Sequence, residues 1–349
     1  MLHFMNDYSE GAHPRVMRAL ADSNLESTVG YGCDDYCARA ADALRARFAC
    51  PEADVHFLVG GTQTNLVACA AFLRPWEAVI AAESGHVAVH ETGAIEATGH
   101  KVFVVPGENG KLTAQAVRRA VMEHRTGTEE HMVLPKLVYV SDSTEFGTIY
   151  TRAELESLRA VCDELGLLLY LDGARIGAAL TAEGNDVRPE DFARLCDAFY
   201  FGGTKNALLF GEALVIVNDA LKPFVRNVIK QRGGMLAKGR LLGVQFGAML
   251  QDDLWLETAR HANEMAQRLA KGLEALGVPF FIPSPTNQIF PVFSDAVVAA
   301  LRADAAFEFW AKPDEGHTAI RFVCSWATQP EQVDAMLACV KARLAEAQA

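Results

Sequence analysis

The sequence predicts an α/β fold in which a large domain, built on a mostly parallel seven-stranded sheet, precedes a small C-terminal α+β domain. Three observations lead there. Short apolar runs alternate with stretches at helical spacing between residues 54 and 217. Those runs are continuously apolar, as expected of strands covered by helices on both faces. After about residue 242 the alternation stops, and a long helical stretch leads into a few isolated strands.

The elements follow in order. Residues 1–35 are rich in Asn, Asp, Ser and Gly and read as an N-terminal arm. A stripe of Ala and Leu predicts a helix over 35–48, opening the large domain, 36–242. Strands are predicted at 54–59, 78–83, 101–106, 136–142, 167–172, 197–203 and 213–217, with helices at 63–73, 113–124 and 151–165. The small domain, 243–349, begins with one long helix over about 243–274. Strands at 288–293, 307–312 and 319–325 and a terminal helix from about 329 complete it.

Half of the 349 residues are hydrophobic, enough for one large core and a smaller one. The net charge of −12 argues against nucleic acid or an anionic membrane as the main partner. No run approaches the roughly 20 apolar residues of a membrane helix. No charged and apolar signal precedes the first motif, so the expected location is cytoplasmic. The eight cysteines are scattered without the paired spacing of a zinc site, and no metal is expected.

Four motifs carry chemistry, and each follows a predicted strand, where open α/β sheets bind ligands. In "FYFGGTKNALLFGEALVIV", Lys205 lies in a glycine-rich turn flanked by apolar sequence. Burial there would lower the lysine pKa and leave an amine able to form an imine with an aldehyde. Alone, the same lysine reads equally as a surface-loop residue. In "LYLDGARIGAAL", Asp172 ends an apolar strand and needs a partner. A pyridinium nitrogen is one candidate, and Arg175 in a structural pair is the other. In "VGGTQTNLVA", two glycines turn a strand into a helix whose free N–H groups suit a phosphate, with Thr62 as a hydroxyl donor. In "ESGHVAVHETGA", His86 can stack on a flat ring, or is simply a loop histidine.

The order phosphate turn, histidine, aspartate, lysine resembles the threonine aldolases, pyridoxal-phosphate (PLP) enzymes of the aspartate-aminotransferase-like fold (fold type I). Within them the chain is most similar to the phenylserine aldolases. The resemblance spans nearly the whole chain, through "ND", "YGCDD", "GGTQTN", "SGH", "TEFGTIYT", "LDGAR", "GGTKN", "DDLWLETARHAN" and "IRFVCSWAT". It implies pyridoxal 5'-phosphate held by Lys205 as an imine, with Asp172 on the pyridine nitrogen and His86 stacked on the ring. Gly61, Thr62 and Gln63 would cradle the phosphate. Arg175 would lie near the phenolic oxygen and the substrate carboxylate, which Arg321 and Asn6 would also bind. His131 would approach the substrate β-hydroxyl. Tyr31 and the basic loop 229–240 would serve a neighbouring subunit, implying a homodimer or homotetramer with interface sites. Where many members carry arginine after methionine in that loop, this chain has Leu236, leaving Lys230, Lys238 or Arg240 as substitutes.

The expected function is therefore cleavage of an L-β-hydroxy-α-amino acid to glycine and an aldehyde. The start "MNDYSEG" departs from the threonine-type arm and moves the expected substrate toward an aryl one. The alternatives are β-elimination or transamination on the same scaffold, and a non-catalytic PLP-binding protein.

Overall fold

In the computed structural model, which describes residues 1–125 and 129–348, a central sheet is covered on both faces by helices. Strand β1 (Leu2–His3) lies outside it. The sheet consists of β2 (Asp54–Leu58), β3 (Glu77–Ala82), β4 (Lys101–Val105), β5 (Leu134–Ser141), β6 (Leu168–Gly173), β7 (Ala198–Gly202) and β8 (Glu212–Ile216). Their spatial order is β2-β8-β7-β6-β5-β3-β4. Neighbours from β7 to β4 run parallel, and β8 alone is reversed, antiparallel to both β7 and β2.

The continuous apolar runs are explained by where alternate residues go. Val138, Val140, Leu169, Leu171, Phe199 and Phe201 enter the core on one face. Leu137, Tyr139, Leu168, Tyr170, Ala198 and Tyr200 enter the core on the other. Each fully buried large side chain contributes roughly 1.5–3 kcal/mol, so neither face tolerates a polar slip in register.

The small domain has β9 (Gln288–Ile289), β10 (Val292–Ser294), β11 (Ala305–Ala306), β12 (Glu308–Ala311) and β13 (His317–Val323). β13 pairs antiparallel with β9, β10 and β12. The helix Pro330–Gln348 packs Val333, Met336 and Val340 into the core of this domain. Among the described residues, no helix is long and apolar enough to cross a membrane.

Three expectations need correction. The first 35 residues are more than an irregular arm. β1 pairs with β11, Phe4 enters the small-domain core, and a helix Pro14–Asp22 buries Val16 in the large one. The expected helix over 243–274 is two helices, Arg240–Leu250 and Leu254–Ala275. Asp252 and Asp253 between them adopt positive φ (53° and 56°), and each carboxylate pairs with an arginine elsewhere, Arg15 and Arg47. The single expected strand over 288–293 is split into β9 and β10, with Pro291 between them unable to donate to a ladder.

Helix Arg240–Leu250 packs on helix Asp35–Arg47 so closely that Gly243 leaves no room for a side chain. A Cβ there would come within 2.4 Å of the Cys37 nitrogen. Gly247 on the same helix faces open space. We expect Gly243→Ala to cost about 1–3 kcal/mol by forcing the helices apart. Gly247→Ala should stabilise by up to roughly 1 kcal/mol through helix propensity. Denaturant titration of both variants checks the contrast.

Candidate active site

Because β2, β3, β5, β6 and β7 point the same way, the segments that leave them meet at one edge of the sheet. They enclose a cleft of about 300 Å³ lined by Gly60, Gly61, Thr62, His86, Glu145, Asp172, Arg175, Thr204, Lys205 and Glu212, among others. Lys205 follows β7 in the turn 203–211 and opens into this cleft. Burial, then the charge of Arg175, hold its amine below the usual lysine range.

Asp172 is 3% exposed and belongs to the same face as Tyr139, Tyr170 and Tyr200. Its Oδ2 accepts from Tyr139 Oη (2.5 Å) and Asn65 Nδ2 (3.0 Å), and its Oδ1 from the Ala174 N–H (3.0 Å). Burial alone would raise its pKa. His86, with the hydrogen bonds from Tyr139, Tyr200 and Asn65, outweighs burial and keeps the carboxyl below its ordinary value. Asn65 Nδ2 also donates to Glu91 Oε1 (2.7 Å), and Glu91 Oε1 lies 2.7 Å from His86 Nδ1. A continuous chain therefore links the imidazole to the aspartate: His86, Glu91, Asn65, Asp172.

The helix Gly61–Phe72 begins at Gly60 without a capping side chain, so its first N–H groups remain available to an anion. Gly61 is required: a Cβ there would lie 2.9 Å from Tyr200 Oη and fill the space. Gln63 does not line the cleft; its Oε1 accepts from the Val59 N–H (3.3 Å), beside Gly234.

Arg175 is paired with Asp7, Nε to Oδ2 at 2.7 Å and Nη2 to Oδ1 at 3.1 Å. Asp7 is held further by Asn287 Nδ2 (2.9 Å). Burial opposes both charges, yet the pair drives the Asp7 carboxyl down and the Arg175 guanidinium up. Arg321 on β13 donates to Gln288 Oε1 (3.0 Å) and pairs with Glu308, its register partner on β12. Burial and the nearby Arg175 charge lower its pKa.

Some expected residues lie elsewhere. Asn6 is turned to its own loop, where its Oδ1 accepts from the Tyr8 N–H and Ser9 Oγ, while its neighbour Asp7 meets Arg175. His131 is exposed in the short turn Glu129–His131 that precedes β5. That is the opposite end of the sheet from the cleft, so one chain does not bring His131 to its own substrate site. Tyr31 lines a separate cavity of about 310 Å³ beside edge strand β2, with Lys230 Nζ 4.7 Å from its ring centroid. Arg240 is committed to the carbonyls of Ser23, Asn24 and Glu26, which removes it from the three cationic substitutes in the loop.

Four carboxyls went unremarked in the sequence: Asp7, Glu91, Glu145 and Glu212. Glu145 Oε1 accepts from the His86 N–H (2.9 Å) and Ser141 Oγ (2.8 Å), and burial pushes its pKa up. Asp7, Glu91 and Glu145 lie within "ND", "HETG" and "TEFG", and Glu212 begins "EALVI". Their signal was a charge next to an apolar strand or a motif residue.

The family model described as beta-eliminating lyase matches residues 5–296. A low specificity L-threonine aldolase of Pseudomonas aeruginosa is 35% identical over 333 residues, covering 95% of this chain and 94% of that protein. One from another Pseudomonas strain is 32% identical, covering 97% of each. A solved threonine aldolase of Leishmania major shares 48% identity with a TM-score of 0.95, over 98% of this chain and 99% of that one. Thermus thermophilus aspartate aminotransferase, at 18% identity and a TM-score of 0.73, shares the fold.

The Asp7–Arg175 pair generates a stability prediction. Asp7→Ala leaves a buried guanidinium without its carboxylate and should cost about 3–5 kcal/mol in cofactor-free protein. Since the folded Asp7 pKa is depressed, its contribution is present above the ordinary carboxyl range and lost as pH falls through the folded value. Denaturant midpoints of wild type and variant should therefore converge in acid.

Proposed function

The chain belongs to the threonine aldolases of the beta-eliminating lyase family, and from that premise we propose that it cleaves L-β-hydroxy-α-amino acids to glycine and an aldehyde by retro-aldol chemistry. It is a carbon–carbon lyase of the fold type I class, and its cofactor is pyridoxal 5'-phosphate. The observation that carries the reading is the single cleft joining a half-buried lysine, a buried aspartate, a histidine and an arginine.

The residues fit that cofactor. Lys205 would hold its aldehyde carbon, Asp172 its ring nitrogen and His86 its face, with the free N–H groups at Gly61 and Thr62 taking the phosphate. When bound, the cofactor supplies a sink for the electron pair released as the Cα–Cβ bond breaks. The low pKa of Asp172 keeps it anionic, the state that holds a proton on the facing nitrogen. The chain from His86 through Glu91 and Asn65 fixes the imidazole relative to that carboxylate. Asp7 occupies Nε and Nη2 of Arg175, leaving Nη1 for the substrate carboxylate. Arg321, paired with Glu308, presents a second guanidinium from the small domain. Holding the carboxylate fixes the direction of the Cα–Cβ bond, and such positioning is worth several kcal/mol of barrier.

Glu145 is the proton acceptor we assign to the β-hydroxyl within one cleft, replacing His131. It lines the cleft, and its raised pKa suits a carboxyl that both takes and returns a proton. Tyr31, with Lys230 over its ring, lines a separate cavity away from the cleft, which supports a homodimer or homotetramer in which the pair serves a neighbour. The cytoplasm is the proposed location, and the free, mostly buried cysteines suit a reducing compartment.

Incubation with PLP and L-threonine, L-allo-threonine or L-phenylserine should yield glycine and the matching aldehyde. Pyruvate and ammonia in their place would establish β-elimination. Higher kcat/KM is expected for L-phenylserine, whose ring buries more apolar area at about 25 cal/mol per Å². Lys205→Ala should abolish glycine release and borohydride trapping of cofactor on that peptide. Glu145→Gln should slow aldol cleavage far more than exchange of the glycine α-proton. Equal losses would return Glu145 to a structural role.

A further inference from the structure

We propose that Glu212 is the counter-ion of the Lys205 nitrogen, a positioning residue that sets whether that nitrogen carries a proton while it holds the cofactor. This rests on the reading above only in taking Lys205 as the residue that binds pyridoxal phosphate.

The reversed direction of β8 places Glu212. As the first residue of the antiparallel strand it arrives at the carboxyl ends of its neighbours, in register with Gly202 of β7 and Leu58 of β2. Its side chain is 4% exposed and lines the same cleft as Lys205. Oε2 accepts from the Gly203 N–H at 3.0 Å, and the carboxyl also hydrogen-bonds the Thr204 side chain. Gly203 and Thr204 immediately precede Lys205, so the carboxyl is tied to the turn that carries the amine.

Asp7 and Asp172 act on Lys205 more strongly than Glu212 does, but each serves another positive group. Asp7 is paired with the Arg175 cation and held by Asn287, and Asp172 is the carboxylate assigned to the cofactor's ring nitrogen. The hydrogen-bond partners of Glu212 are neutral, and the cation it feels most is Lys205. The other titratable groups facing it are Asp172 and Tyr170 on β6 and Tyr200 on β7. Burial pushes the Glu212 carboxyl up to about 7, while burial and Arg175 push the Lys205 amine down.

The sign follows directly. An anion beside the nitrogen favours its cationic form, so removing that anion lowers the pH at which the nitrogen loses its proton. In the holoenzyme this pH is read from the absorbance change of the lysine-bound cofactor, without substrate. Glu212→Gln should lower the midpoint by about 1 unit or more, the range for a nearby opposite charge. Glu212→Asp, with its charge drawn back by one methylene, should fall by part of that amount. It also serves as the test should the Gln variant not fold. Borohydride trapping on Lys205 confirms cofactor attachment in each variant. A midpoint unchanged from wild type in either trapped variant overturns the assignment. Trapping at Lys205 with the predicted shifts, but without glycine release from any β-hydroxy amino acid, would sink the proposed reaction and leave this inference standing. Trapping on another lysine would remove the premise of both.

Discussion

The structure depends on keeping one carboxylate, Asp172, charged where water does not reach. A lone carboxylate at the end of a buried strand is costly, and the surrounding sequence is arranged to offset that cost. Tyrosines at 139, 170 and 200 lie on one face of adjacent strands, a choice that looks merely apolar in each strand read alone. Tyr139 and Tyr200 turn their hydroxyls to the aspartate, and Tyr170 holds Asn65 Oδ1 so that the amide nitrogen faces the two carboxylates. Changing any of these residues would alter both the packing of that face and the electronic state of the site.

The same economy governs Arg175. Its partner Asp7 comes from the amino-terminal segment, which reaches the site only because β1 pairs with β11 and the Val323 N–H donates to the Phe4 carbonyl. The small domain and the first residues therefore act together to place the carboxylate that pairs with Arg175. The position of Arg175 is therefore coupled to small-domain packing through Asp7 and Asn287.

Much of this was legible in the sequence, for identifiable reasons. The seven strands of the large sheet were readable because double-sided burial demands continuous apolar runs. Lys205, Asp172, His86, Gly61 and Thr62 were readable because each follows a strand whose carboxyl end is a ligand edge. The break at Asp252–Asp253 was not, because two aspartates in helical surroundings give no sign of positive φ until Arg15 and Arg47 are placed beside them. His131 does not reach the cleft of its own chain, because a distance along the sequence does not reveal which end of β5 it occupies. Asp7, Glu91, Glu145 and Glu212 were missed because each is paired with a residue far away in sequence, a relation no local pattern contains.

The charge balance of the cleft carries the argument one step further. The cations among its lining residues are Lys205 and Arg175, and Arg175 is already neutralised by Asp7. Glu145, Asp172 and Glu212 line the same space. A phosphate and a substrate carboxylate would add negative charge to a site with little positive charge of its own. Helix N–H groups supply roughly half an elementary charge at most. The exposed Lys238, in a loop, and the Tyr31-stacked Lys230, at the end of helix Val225–Gln231, lie near another cavity of the same chain. A second copy that presents this loop to the cleft would supply the missing charge. This shortage of positive charge supports the proposed oligomer with interface sites.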